Sequence, residues 1–194
     1  MTNTVIADMT MSLDGFIADP QDGCEELFGW FSNGPVAVPA PGSPGFAFQT
    51  SEASARHLRT GIENVGALVC GRRLFDYTNG WDGSHPMGVP VVVVSHRPAA
   101  PGSPFTFTGS VESAIAAAKE LAGPSRWVGV ASASIARQCL ELGLLDEIRV
   151  SLAPVLLGKG IPWFADVASA PVRLSDPEIV AGTGVTHLYY TVLR

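Results

Sequence analysis

The chain has 194 residues, enough for one substantial core and few for two; a domain of this length buries about 70% of the surface its unfolded form exposes. A hydrophobic share of 46% against 15% charged residues describes a globular chain rather than a disordered one. The net charge of −6 excludes a general nucleic-acid surface, so a basic cluster here serves a small, local anion.

The opening stretch, MTNTVIADMTMSLDG, has neither the basic start nor the long apolar core of a signal peptide. No run approaches the roughly 18 apolar residues of a membrane span, so a cytoplasmic location without membrane attachment is expected. Cys24, Cys70 and Cys139 are odd in number, far apart and without metal-ligand spacing, and are expected as free, packed thiols.

In chain order, TVIADMTM (4–11) reads as a strand ended by Leu13-Asp14-Gly15, and Phe16 and Ile17 resume the apolar pattern before the polar ADPQDG. A short helix is expected around Glu25 to Phe31. SNGPVAVPAPGSPGFAFQ (32–49) is dense in Pro and Gly and reads as a long loop, either a lid over a pocket or a surface excursion. Ser51 is placed to cap a helix carrying Ala55, Leu58, Ile62 and Val65 at helical spacing. VGALVC then reads as a buried strand, GRRLFDYT as a helix start, and VPVVVVS as a strand whose four valines suit burial on both faces. FTFT is a short strand, and Ser110 caps a helix presenting Val111, Ile115, Ala118 and Leu121, closed by Gly123-Pro124.

RWVGVA is the next strand, followed by the helix SASIARQCLEL and a stop at Gly143. From Asp146 the alternation of Ile148, Val150 and Leu152 marks a strand, with Pro154 suggesting an edge or a bulge. VRLSDPEIVAGTGVTHLYYTVL gives two strands around Gly182-Thr183-Gly184, a hairpin signal. Together these predict an α/β chain: a single three-layer domain over 1–194 with a mostly parallel mixed sheet and flanking helices.

Three strands end in turns suited to a ligand. Gly71-Arg72-Arg73 follows LVC, Ser95-His96-Arg97 follows VVVV, and Ala131-Ser132-Ala133-Ser134 follows WVGV. If those strands run parallel, all three turns lie on one edge, where open α/β sheets bind ligands. The first and third open helices whose free N–H groups favour phosphate, and an arginine adds charge-assisted bonds. Two separated anion sites suit a dinucleotide with an extra ribose phosphate, hence NADP rather than NAD; the alternative is that the arginines are solvated surface charges.

The G-x-G-x-x-G, G-x-S-x-G and H-E-x-x-H patterns are missing. Gly158-Lys159-Gly160 lacks the upstream glycine and the following Ser or Thr of a phosphate loop. The four histidines, His57, His85, His96 and His187, are dispersed, and only His96 falls in a candidate turn.

The stretches MSLDGFIA, GRRLFDYTNGW, HPMGVPVVVVSHRP and SIARQCLELGLLDEIRVSLAPVLLGKGIPWF carry a resemblance. With their spacing, the chain resembles the dihydrofolate-reductase-like family that includes the C-terminal reductase domain of the riboflavin-synthesis deaminase/reductase, over most of its length outside 32–50. The resemblance implies NADPH lying across the strand ends. Gly71, Arg72 and Arg73 match the turn at the diphosphate side, Ser95, His96 and Arg97 the turn at the adenosine 2′-phosphate, and Thr10 and Ile17 positions beside the nicotinamide. Two departures stand out: Leu74 replaces a frequent threonine, and Ala131-Ser132 replaces Gly-Gly. At Ala131-Ser132 the added Cβ atoms crowd an approaching diphosphate, and two outcomes are open: a trans peptide with Ser132 or Ser134 offering a hydroxyl instead, or a cofactor that binds weakly or not at all. Relatives also commonly pair through their C-terminal strands, which implies a homodimer.

The implied activity is NADPH-dependent hydride transfer to a small heterocyclic substrate resembling a pterin, pyrimidine or flavin. Asp14 is the family-matched candidate for a catalytic acid, although Leu-Asp-Gly is also an ordinary turn in which Asp bonds the backbone. Glu25 and Glu26 lie near the position where folate reductases carry a carboxylate. Trp30 either stacks on a flat substrate or fills the core between helix and sheet. The competing expectation is a nucleotide-binding or assembly protein that keeps the fold without hydride transfer.

Overall fold

The computed structural model describes residues 3–194. Its first strand, β1 (Val5–Ser12), shows how the sheet is built: Val5, Ala7, Met9 and Met11 join one apolar core, so the alternating Ile6, Asp8, Thr10 and Ser12 face the other way. The chain continues through β2 (Phe16–Ala18), β3 (Val36–Pro39), β4 (Ala47–Thr50), α1 (Glu52–Asn64), β5 (Val65–Gly71), α2 (Arg72–Tyr77), β6 (Val91–Val94) and β7 (Thr106–Thr108). It then adds α3 (Val111–Ala122), β8 (Trp127–Val130), α4 (Ala133–Glu141), β9 (Glu147–Ala153), β10 (Ile161–Pro162), β11 (Glu178–Gly182) and β12 (Val185–Thr191).

Eight strands form the main sheet in the order β11-β12-β9-β1-β8-β5-β6-β7. Every neighbouring pair from β9 to β7 is parallel, while β12 runs antiparallel to both β9 and β11. This is the expected mostly parallel mixed sheet in a single α/β domain. The helices α3 and α4 cover one face through Val111, Ala114, Ile115 and Ala118 of α3 and Ile135, Ala136 and Cys139 of α4. On the other face lies α1, against β11 and β12. Both long helices start as the sequence predicts. The Ser51 hydroxyl accepts from Ser54 N–H at 3.3 Å, and that of Ser110 from Ser113 N–H at 3.2 Å.

Three local expectations need correction. The 32–49 segment is not a long loop: β3 and β4 pair antiparallel from Val36↔Thr50 to Pro39↔Ala47. The prolines and glycines crowd the turn and the strand ends, while Val38 is buried. The hairpin is pinned by close approach, since a Cβ on Gly34 would run into the Thr50 backbone, and Gly42 N–H donates to Pro86 O at 2.8 Å. The expected helix at Glu25–Phe31 shrinks to hydrogen-bonded turns and a 3-10 turn at Gly29–Phe31, enough to bury Leu27 and Trp30. Finally, β9 is an interior strand, paired on both sides. Pro154 stands one residue beyond its end, where a missing N–H removes no ladder bond.

Among the described residues no helix is long and apolar enough to cross a membrane. The three cysteines are free; Cys70 and Cys139 are buried, and burial pushes each thiol up to about 12.

Candidate functional site

Because β5, β6 and β8 are parallel, the three candidate turns do lie on one edge of the sheet. Between the first and third turns opens a cavity of about 330 Å³. Its walls come from Gly71 to Leu74 and Tyr77, from Ala131 to Ser134, and from Met9, Ile17, Ala18, Phe28 and Ile161, with Asp22 and Cys24 beside them. Of the residues expected at a cofactor, the cavity brings together Ile17, Gly71, Arg72, Arg73, Ala131, Ser132 and Ser134. Met9, Phe28, Tyr77 and Ile161 were not singled out in the sequence, where each looks like an ordinary apolar position; they reach the cavity from β1, from the turns before Gly29, from the end of α2 and from β10, which pairs with β2.

The arginines are held by carboxylates. Arg72 Nε lies 2.6 Å from Asp76 Oδ1, one helical turn on, and Arg97 Nη2 reaches Oδ2 of the same carboxylate at 2.8 Å. These bonds, that of Arg72 foremost, hold the Asp76 carboxyl below the usual aspartate value. Arg73 pairs with Asp22 at 2.9 Å. The Arg72 guanidinium lies 5.9 Å from the Phe107 ring centroid and 6.0 Å from that of Phe75, and its Nη1 is buried with no partner. A buried unpaired guanidinium N–H is costly, which fits a place reserved for an acceptor.

The second turn stays at the margin. The Ser95 hydroxyl accepts from Arg97 N–H at 3.0 Å and donates to Arg97 O at 2.8 Å, while His96 and Arg97 are exposed. Arg97 joins the cavity region through Asp76; Ser95 and His96 do not line it.

In the third turn the Ala131–Ser132 peptide is trans; the cis bond found among the described residues is at Ala170-Pro171. Ser132 turns its hydroxyl away from the mouth of α4, accepting from Gly71 N–H at 2.9 Å and donating to Ala131 O. That bond stitches the first turn to the third. As Ser132 makes no side-chain cap bond, the first N–H groups of α4 remain available.

Asp14 takes the turn role. Its carboxylate accepts from the Ser12 hydroxyl at 2.6 Å, Leu157 N–H at 3.1 Å and Gly158 N–H at 2.7 Å, tying the β1–β2 turn to the 156–158 loop. The Ser12 bond is the largest cause of a pKa below the usual 3.8, so Asp14 is a poor reservoir of protons at neutral pH. It does not line the cavity, and neither do the exposed Glu25 and Glu26.

Thr10 and Trp30 lie in the interior. Trp30 is 2% exposed, and its Nε1–H donates to Thr10 Oγ1 at 3.2 Å, so it fills the core, one of the two roles open to it in the sequence. Trp30 also packs edge-on against His187, which stacks at 4.1 Å and 15° on His57. The histidines are therefore not all dispersed. His187 bonds Ser54 Oγ and Ser151 Oγ, both at 2.9 Å, and His57 Nδ1 bonds Tyr189 Oη at 3.0 Å. Burial holds His57 down to about 4 and His187 to about 3, with Arg149 and His57, respectively, as the lesser causes. Beside them, burial pushes Asp8 up to about 7 against the pull of Arg149. A second cavity, of about 520 Å³, opens over this cluster at Arg56, Trp127, Arg149, Glu178 and Tyr189.

Known proteins agree with this architecture. The family model described as RibD C-terminal domain matches residues 3–188. A crystal structure of a riboflavin-biosynthesis candidate protein from Shewanella sp. PV-4 is similar at 25% identity and a TM-score of 0.69, over 98% of this chain and 99% of that one. A pyrimidine reductase-like protein from Corynebacterium diphtheriae is similar at 15% identity and a TM-score of 0.61, over 99% and 92% of the two chains. Dihydrofolate reductase from Enterococcus faecalis, complexed with NADP(H), shares the fold at 13% identity and a TM-score of 0.60, over 98% and 96%. No curated protein matches the chain.

Proposed function

The chain belongs to the RibD C-terminal domain family, and from that membership we propose that it is an NADPH-dependent reductase of a small heterocyclic substrate resembling a pyrimidine, pterin or flavin. The observation that carries the reading is the buried, unpartnered Nη1 of Arg72 at a cavity shared with the free N-terminal N–H groups of α4. Donors of both kinds suit the phosphate oxygens of a dinucleotide.

NADPH, when bound, supplies the hydride. The protein's part is to hold and enclose. Gly71, Arg73 and the start of α4 would take the diphosphate side and Ser95, His96 and Arg97 the 2′-phosphate side, with Arg72, which shares the Asp76 carboxylate with Arg97, between the two. Met9, Ile17, Ala18, Phe28 and Ile161 form an apolar wall that would keep water from a nicotinamide held in the cavity. Asp14 acts as a positioning residue for the 156–158 loop rather than as the acid. Tyr77 and Cys24 are titratable cavity side chains that hold their protons: desolvation first, then Cys24 and the nearby carboxylates, keep the Tyr77 hydroxyl above the usual tyrosine value, and burial foremost raises the Cys24 thiol. A homodimer through the C-terminal strands belongs to the same reading, since β11 is an edge strand with Ile179 63% exposed.

The test is NADPH oxidation against a panel of pterins, pyrimidine ribosides and flavins, with direct titration of NADPH and NADH by nicotinamide fluorescence. Turnover with one substrate class and tighter NADPH than NADH supports the proposal. Saturable NADPH binding without turnover across the panel supports the binding-protein reading instead, and absence of binding refutes both. Sedimentation as a monomer at micromolar concentration would remove the dimer.

A further inference from the structure

We propose that Asp76 is a built-in occupant of the anion site, standing in for the cofactor's 2′-phosphate, and that by yielding to it Asp76 sets how strongly the protein prefers a 2′-phosphorylated adenosine. This rests on the NADPH reading above and adds to it a residue that neither the sequence motifs nor the family match assigns.

The geometry is that of a two-armed clamp closed on one carboxylate. Arg72 comes from the turn after β5 and Arg97 from the turn after β6, 25 residues on, yet each takes one oxygen of Asp76, at 2.6 and 2.8 Å. Without Asp76 the two guanidinium groups would repel one another at the sheet edge. With it the cluster holds a formal charge of +1, and the buried Nη1 of Arg72 is still unpartnered. A surface ion pair that existed only for stability would contribute about 0–1 kcal/mol, and it does not by itself account for an unpartnered Nη1 at the cavity wall. Phe75 and Phe107 fix where the Arg72 guanidinium lies, so its donors do not need to be rebuilt for a ligand.

A carboxylate and a phosphate monoester differ in the direction the exchange requires. The carboxylate offers one negative charge and two acceptor oxygens; the monoester offers nearly two charges and three. The phosphate can therefore hold both arginines and also satisfy the idle Nη1. Asp76 can leave at low cost, because its side chain is 43% exposed on the short α2 and finds water when it turns out. A cofactor lacking the 2′-phosphate offers no group to replace it, and the clamp stays shut on Asp76.

Adenosine 2′,5′-bisphosphate and adenosine 5′-monophosphate are the probes, titrated calorimetrically at low and moderate salt into the whole protein, its Asp76→Asn variant and its Asp76→Ala variant. Removing a like charge about one contact distance from the phosphate is expected to tighten the bisphosphate about five-fold or more in both variants and to leave the monophosphate within about two-fold. The NADPH-to-NADH ratio of KM values should shift by the same factor. Weaker bisphosphate binding in the variants, or unchanged binding, overturns the proposal and makes Asp76 a structural partner of the arginines alone. The two variants, checked for an intact thermal transition, separate loss of charge from loss of the side chain. If the unmodified protein and its Arg72→Ala variant bind the bisphosphate no better than the monophosphate, the NADPH reading itself has failed, and the proposal falls with it.

Discussion

On the face of the sheet packed by α3 and α4, β1 presents Val5 and Ala7; on the face packed by α1, the same strand presents Asp8 and Thr10. The contrast extends across the neighbouring strands. Ile148 and Val150 of β9 join the first core, whereas Arg149 and Ser151 lie beside His187 and Tyr189 of β12 on the other side. One face is held by dispersion and by removal of apolar area from water. Around β9, β1 and β12 the other is held by hydrogen bonds, Ser54–His187–Ser151 and His57–Tyr189, which depend on the protonation state of the two imidazoles, while Leu68, Cys70, Val91 and Val93 form a second apolar cluster further along the sheet. The apolar face should be indifferent to pH and costly to truncate; the polar face should be the part of the fold that acid reaches first.

The largest effect is expected from the apolar face. Ile115 of α3 is 2% exposed in the core, and Ile115→Ala should cost about 2–5 kcal/mol of stability, independent of pH, in denaturant titrations. A slope that varied with pH would break the comparison.

The polar face should respond to acid. His57 and His187 have native values near 4 and 3 against 6.5 when unfolded. A lowered value means that the unfolded chain binds the proton more readily, so the stabilisation is complete above pH 6.5 and is lost as pH falls toward 4. Asp8 works in the opposite sense: raised to about 7, its contribution is complete below 3.8 and lost as pH rises through 7. With two stacked imidazoles against one carboxyl, the net expectation is a decline of about 3 kcal/mol between pH 6.5 and 4. His187→Gln, which keeps a donor and an acceptor but does not titrate, should flatten that decline in urea unfolding measured across the range. An unchanged slope would mean that the histidines are not its source.

The same contrast explains what was legible in the sequence. The apolar cores were readable because their signals are local: VVVV and VGALVC, which feed both faces, and the 3.6-residue spacing on α3 each name their structure within a few residues. The three turns were readable for the same reason, each being a strand end followed by a helix start. The polar cluster was not, because His57 and His187 lie 130 positions apart in sequence and meet only when β12 pairs with β9 beneath α1. Neither was the bridging carboxylate: Asp76 sits in an unremarkable helical position, and only the approach of the β5 and β6 turns gives it a second arginine. In 32–49 the Pro and Gly signal was real, but it described the turn and hid the two short strands beside it.

A smaller effect is expected where the two cofactor turns are stitched together. Ser132→Ala leaves the part-buried Gly71 N–H without its acceptor, and a lost bond of this kind costs about 1 kcal/mol. The first and third turns are then free to separate, so NADPH should also bind several-fold more weakly. Glycine at both positions loses the same Ser132 bond to Gly71 N–H, so it should weaken NADPH as well. Tighter binding by the double-glycine variant, read by nicotinamide fluorescence, would return the side chains to the role of obstacles.

The smallest effect is expected at Asp14, and it discriminates between two roles. A general acid contributes about 10²–10⁴-fold to a rate, and its removal takes with it one limb of the pH profile. A turn carboxylate that accepts from Ser12, Leu157 and Gly158 contributes by holding a loop. Asn keeps one acceptor oxygen, so Asp14→Asn should retain at least about a tenth of kcat and the whole shape of the profile. Its effect should appear in acid stability. The native Asp14 value is lowered, so its stabilisation is present above the unfolded value near 3.8 and is lost as pH falls below it; the variant lacks that titration and its unfolding should depend less on pH in that range. Loss of a limb of the kcat profile, with the acid unfolding unchanged, would make Asp14 the acid after all and leave the 156–158 loop to be held by something else.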